Sequence, residues 1–211
     1  MSKILLHPCY FPNIATFSVL AQKEAVWEIH DNFQKQTYRN RCYICTDQGK
    51  HMLNIPIRHV GGDEGRQKYR DVQPDTSTNW QRLHWRSLET AYRTSPFFEF
   101  YEDELRPLFE QPATNLLDFN LNSITTIGDC LGISVPTEQT QRFEVEPKGI
   151  VDGRFLVVAK SRFEFDNEIY PQVFEDRHGF IPDLSILDLL FNEGPNSMQY
   201  LKNMTLDFLD A

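Results

Sequence analysis

A chain of 211 residues with 40% hydrophobic and 13% aromatic side chains is long enough to bury a sizeable core and too apolar to stay disordered. Its formal net charge of −9 makes phosphate backbones and anionic lipid poor long-range matches, which argues against a nucleic-acid partner. No stretch approaches the roughly eighteen consecutive apolar residues of a spanning helix. Met1 to Pro8 fits neither a signal peptide nor an anchor, so the expected setting is the cytoplasm without membrane insertion.

In chain order, Ile4-Leu5-Leu6 reads as a short strand that ends at His7-Pro8. Pro8 and Pro12 bracket a stiff aromatic turn, Cys9-Tyr10-Phe11. Asn13 is a natural N-cap for a helix to Gln22, with Ile14, Phe17, Leu20 and Ala21 at helical spacing. Ala25 to His30 alternates as a second strand, which makes a β-α-β unit with parallel pairing. Arg41 to Thr46 and His51 to Ile57 should form a hairpin across Asp47-Gln48-Gly49-Lys50. The polar stretch from His59 to Thr78 reads as a mobile loop or flap with a short strand near Tyr69 to Val72. Helices are expected from about Thr78 to Ser95, from Tyr101 to Glu110 and from Asn115 to Leu131, the last with Gly132 as a left-handed C-cap. Residues 134–153 hold two prolines and few large apolar residues, the composition of a linker or excursion within one domain spanning 1–211. Phe155 to Ala159 reads as a strand. A helix from about Asp183 to Phe191 and a C-terminal helix carrying Met198, Leu201 and Met204 close the chain. The fold class is therefore α/β: a mixed, partly parallel sheet started by the β-α-β unit, with several packed helices.

The loop His7 to Asn13 lies where ligands bind in open α/β sheets, beyond the carboxyl end of a parallel strand. The helix that follows would offer free backbone N–H groups to an anion. Tyr10 and Asn13 are its candidate binding residues. A rigid aromatic cap over the core accounts for the loop equally well. His7 is placed to carry a proton, with Asp31 after the second strand as its acid partner. In Tyr38-Arg39-Asn40-Arg41, Arg41 and Asn40 suit a carboxylate or phosphate, Arg39 and Arg41 being expected on the same side of a strand. His84 lies on the apolar face of the long helix, where a satisfied core histidine competes with a binding role. Asp188 and Asn192 are one helical turn apart and could share a pocket, against the plainer reading of capping and C-terminal satisfaction. Cys9, Cys42, Cys45 and Cys130 read as free thiols. Cys42 and Cys45 match C-x-x-C, but on a strand residues three apart point to opposite faces, so no metal site is expected. None of the common hydrolase, nucleotide-loop or dinucleotide motifs occurs, and the sequence leaves any cofactor unknown.

Taken in order, several segments together resemble the WbqC-like protein family. They are Pro8-Cys9-Tyr10-Phe11-Pro12, a strand ending near Asp31, Tyr38-Arg39-Asn40-Arg41, Leu53-Asn54-Ile55-Pro56-Ile57, Trp80 with His84 and Ala91-Tyr92, and Leu184 to Asn192 before Gly194. The resemblance implies a place in bacterial surface-polysaccharide (O-antigen, lipopolysaccharide) synthesis and a suggested glycine-transferase role. His7 stands where Gln is common, and the chain departs from longer members between about Ser134 and Phe165.

The preferred expectation is an acyl or aminoacyl transferase acting on a small anionic donor and a sugar acceptor. His7 or Asp31 would serve as base, and Arg41 with the loop N–H groups would stabilise negative charge. The alternative is a non-catalytic protein that holds a small anion or a partner in envelope biogenesis. A third reading, nucleotidyl transfer, fits the β-α-β start but lacks the paired His-x-Gly-His.

Overall fold

The structure is a computed structural model and describes residues 2–58, 67–159, 165 and 167–209. Strand β1 (Ile4–Leu6) is flanked by β2 (Ala25–Trp27) on one edge and β5 (Val151–Asp152) on the other, all parallel. Ile4 pairs with Ala25 and Val151, and Leu6 with Trp27. Every residue of β1 and β2 is buried, which is why these strands read as unbroken apolar runs. Helix α1 (Ile14–Gln22) makes the crossover between them. The hairpin of β3 (Arg41–Thr46) and β4 (Gly49–Asn54) is a separate antiparallel ladder, in register from Arg41 opposite Asn54 to Thr46 opposite Gly49. The mixed α/β content expected from the pattern is present, with the parallel and antiparallel strands in two sheets.

Four local expectations change. The strand expected at Phe155 to Ala159 is a 3-10 turn, Arg154–Val157, and the third parallel strand lies just before it. Gly153 donates to the Leu5 carbonyl at 3.0 Å, and a Cβ there would meet Ile4 and Leu6 at 2.8 Å. Asp152 then accepts from the Arg154 N–H and turns the chain, so Leu156 and Val157 are buried by a turn instead of a ladder. Tyr69–Asp71 is likewise a 3-10 turn and not a strand. The part of the expected flap at 59–66 lies outside the described residues. The second hairpin strand ends at Asn54, before Pro56, and the third helix begins at Phe98.

Residues 136–140 run alongside β2. The Trp27 N–H donates to the Glu138 carbonyl, the Thr140 N–H to the Trp27 carbonyl, and the Trp27 indole to the Pro136 carbonyl at 2.7 Å. Helices α2 (Trp80–Tyr92), α3 (Phe98–Glu110), α4 (Leu116–Leu131), the short α5 (Glu175–His178), α6 (Ile186–Glu193) and α7 (Ser197–Asn203) complete the fold. α1 packs on α6 and α7, and α3 touches α2, α4 and α6. One contiguous cluster of buried apolar side chains runs from Ile4 to Phe208.

Candidate functional site

The chain turns away from the carboxyl ends of β1, β2 and β5 into a cavity of about 790 Å³. β1 has its parallel neighbours on opposite edges, so this is where the chain leaves the sheet in two directions, the usual place for a crevice in an open α/β sheet. His7 follows β1, Asp31 follows β2, and Arg154 follows β5. The buried residues His7, Asp31 and Arg39 form the floor, and the exposed Lys35, Lys68 and Phe143 stand at the mouth.

Arg39 is 1% exposed and organises the floor. Its Nη2 donates both to the Asp31 carboxylate and to His7 Nε2, the latter at 2.9 Å, while His7 Nε2 lies 3.5 Å from Asp31 Oδ2. His7 Nδ1 is 3.3 Å from the Glu28 carbonyl, which can only accept, so the ring carries its proton on Nδ1 and offers its lone pair to Arg39. Burial, and then the Arg39 guanidinium, hold His7 well below the ordinary imidazole range, so the ring is neutral at pH 7. Burial pushes the Asp31 carboxyl up to about 6, against the opposing pull of Arg39. Both signs of polar group remain unsatisfied here. Asp31 Oδ1 and Arg39 Nε and Nη1 are buried without a hydrogen-bond partner among the described residues. Such groups cost free energy unless something pairs with them.

A second tier holds the floor in place. Asn120 Nδ2 donates to the Arg39 carbonyl and to the Tyr69 hydroxyl, each at 2.7 Å, and Tyr69 donates in turn to the Pro8 carbonyl at 2.6 Å. The Arg39 guanidinium lies 5.3 Å from the Tyr69 ring centre.

The structure thus brings His7 and Asp31 together, but the guanidinium beside them is Arg39 and not Arg41. Residues 38–40 form a turn ahead of β3, so strand alternation does not apply and the two arginines part. Arg41 pairs across the hairpin with Asn54 and lies outside the cavity lining. Asn40 donates to Asn54 Oδ1 and to the Ile55 carbonyl, fixing the end of β4. Tyr10 is buried in an aromatic cluster, with its hydroxyl 2.8 Å from His84 Nδ1. Burial lowers His84 to about 4.

The anion site expected at the start of α1 is taken by the protein itself. Ile14 N donates to the Leu184 carbonyl, Ala15 N to Asp183 Oδ1, Thr16 N to Asn13 Oδ1 and Phe17 N to the Asn13 carbonyl. Asn13 also donates to Asp183 at 2.6 Å, so it caps the helix. Asp188 and Asn192 likewise face protein. Tyr92, Tyr170 and Gln172 all donate to the Asp188 carboxylate, and Asn192 donates to the Asp188 carbonyl. Among the described residues no three His, Cys, Asp or Glu side chains gather as metal ligands would. Cys42 and Cys45 are buried free thiols, and burial raises Cys45 to about 12.

Sequence reasoning missed Lys68 and Arg154. Each reaches the cavity through long-range pairing, Lys68 by a bridge with Asn32 and Arg154 by the β1–β5 ladder, and no local spacing marks either. No solved structure matches the chain. A Mycobacterium tuberculosis protein described as "Uncharacterized protein Rv1507c" is 30% identical over 205 residues, an alignment covering 82% of this chain and 86% of that one. The WbqC-like protein family matches residues 7–161 and 158–200, which takes in the cavity floor, the hairpin and α6, and the chain belongs to that family.

Proposed function

We propose that this protein is a transferase that moves an acyl or aminoacyl group, glycyl included, onto an amine of a sugar precursor in bacterial surface-polysaccharide synthesis. The observation that carries this reading is the pair of unsatisfied groups on the cavity floor. An acceptor, Asp31 Oδ1, and donors, Arg39 Nε and Nη1, are buried there without partners among the described residues. A ligand presenting an amine beside a carbonyl oxygen complements both.

The geometry favours Asp31 over His7 as the base. The His7 lone pair is engaged by Arg39, whereas Asp31 keeps a free oxygen and, with its carboxyl near 6, is ionised yet basic at neutral pH. In the step we envisage, the acceptor amine attacks the carbonyl carbon of an activated carboxyl group and an N–C bond forms. Asp31 takes the amine proton, Arg39 stabilises the oxyanion, and the bond to the leaving group breaks with its electron pair. The proton passes from Asp31 to that leaving group. His7 is a positioning residue that fixes the guanidinium.

The test is to incubate the protein with acetyl-coenzyme A or glycyl adenylate and an amino sugar linked to a nucleotide, and to read the product mass. Wild type should form an amide, and Asp31→Asn should lose a hundredfold or more in rate, the size of a general-base effect, roughly 10²–10⁴. Equal product from wild type and Asp31→Asn would sink the reading. Binding of a donor without any product would leave the floor as a small-anion binding site.

A further inference from the structure

We propose that the mouth of this cavity is a subsite for a phosphorylated nucleoside, the handle on which the transferred group is carried. The proposal deepens the transfer reading and rests on it for the identity of the site.

Above the floor, the lining divides by chemistry. One part is basic. Lys35 and Lys68 are exposed and form no ion pair among the described residues. The Lys68 ammonium makes one contact, 3.3 Å to the His30 carbonyl, and acts on Asp31 from a distance. Arg154 is committed elsewhere, forked onto Asp152 and donating to the Glu144 and Val145 carbonyls. Among the described residues, the two lysines are therefore the mouth's free positive charge, in a chain whose net charge is −9. The other part is an apolar shelf. Phe143 is 43% exposed, with the Arg154 guanidinium 5.3 Å from its ring centre, and Val158, another lining residue, is 40% exposed. A half-exposed ring held by a cation is a stacking platform for a planar base, and stacking tolerates any base. Flexible ammonium groups suit a phosphate as point charges. A volume of about 790 Å³ accommodates both parts and falls within the usual range for small-molecule sites. A bare phosphate or carboxylate would use the lysines and leave the shelf empty. A purely apolar ligand would leave the lysines unpaired.

The shared chemistry has two sources, an adenylate ester or coenzyme A, and calorimetric titration with AMP and with coenzyme A separates them. AMP should bind at least tenfold more tightly than adenosine or inorganic phosphate. The surface substitutions Phe143→Ala and Lys35→Glu with Lys68→Glu should each weaken it by about tenfold or more, in the range of one stacking or one charge contact, while circular dichroism confirms the fold. Binding of coenzyme A alone assigns the handle to thioesters, and binding of both assigns it to the ring and phosphate they share. No binding of either at millimolar concentration, or binding indifferent to all three substitutions, overturns the proposal. Asp31→Asn keeps the two readings apart. Nucleotide binding retained by this variant with no transfer in wild type supports the subsite and ends the transferase reading. Transfer with no nucleotide affinity ends the subsite alone.

Discussion

Two buried aspartates show how the same side chain is made structural in one place and available in another. Asp188 is fully buried and accepts from three neutral donors, Tyr92, Tyr170 and Gln172, so both of its oxygens are satisfied. Asp188→Ala would strand the Tyr92 and Tyr170 hydroxyls, while Gln172 keeps the Ile181 carbonyl as acceptor. The substitution should cost roughly 3–5 kcal/mol in urea denaturation, and Asp188→Asn, which keeps an acceptor, about half of that. A loss below about 1 kcal/mol for the alanine variant would mean that the cluster is not holding α6. Asp31 is the opposite case, with one oxygen unpaired and its carboxyl raised from 3.8 to about 6. Between those values the folded protein keeps a proton that the unfolded chain has released. The contribution of this group to stability is therefore greatest below about pH 4 and is lost as pH rises through 6. Wild type should lose on the order of 2 kcal/mol relative to Asp31→Asn between pH 4 and 7. A stability difference that stays flat over that interval would contradict the shift. Transfer activity should run the other way, rising through about pH 6 as the base ionises.

At the scale of elements, two helix caps were legible while the ends of the second hairpin strand and the start of the third helix were not. Asn13 and Gly132 are read correctly as caps from the sequence because capping chemistry is local. Gly132, at φ +69, has open space around a Cβ, so Gly132→Ala should cost about 1 kcal/mol for conformation alone. Gly194, at the end of α6, has φ +52, and a Cβ there would lie 2.5 Å from the Phe97 ring. Gly194→Ala adds overpacking to the conformational cost and should lose about 2–4 kcal/mol. Equal losses in chemical denaturation would show that the α6 end yields to Phe97. What the sequence hid was set by distant partners. Nothing local says that Leu156 and Val157 will bury by turning instead of pairing, because the close approach of Gly153 to β1 decides it. His7 and Asp31 were legible as candidates since they follow parallel strands. The choice of Arg39 over Arg41 was not, because it depends on a turn that breaks the alternation.

For the whole molecule, the charge distribution sets two opposing fields around the cavity. The chain's net −9 repels an anion at long range, while Lys35 and Lys68 attract it at the mouth. These fields differ in reach, and salt screens the longer one first. The Debye length is about 30 Å at 0.01 M ionic strength, about 8 Å at 0.15 M and about 3 Å at 1 M. At the lowest salt the repulsion of the whole surface opposes binding. Near 0.15 M that repulsion is largely screened while the lysines still act at contact distance, and at 1 M both are weakened. AMP affinity should therefore pass through a maximum at intermediate ionic strength, with a severalfold loss at either end. Adenosine, which is uncharged, should show no such maximum. The Lys35→Glu, Lys68→Glu double variant should lose the high-salt decline, since only the repulsive field remains. Titrations at three salt concentrations test this. A monotonic fall from 0.01 M would mean that the local lysines outweigh the surface field at every distance the ligand samples.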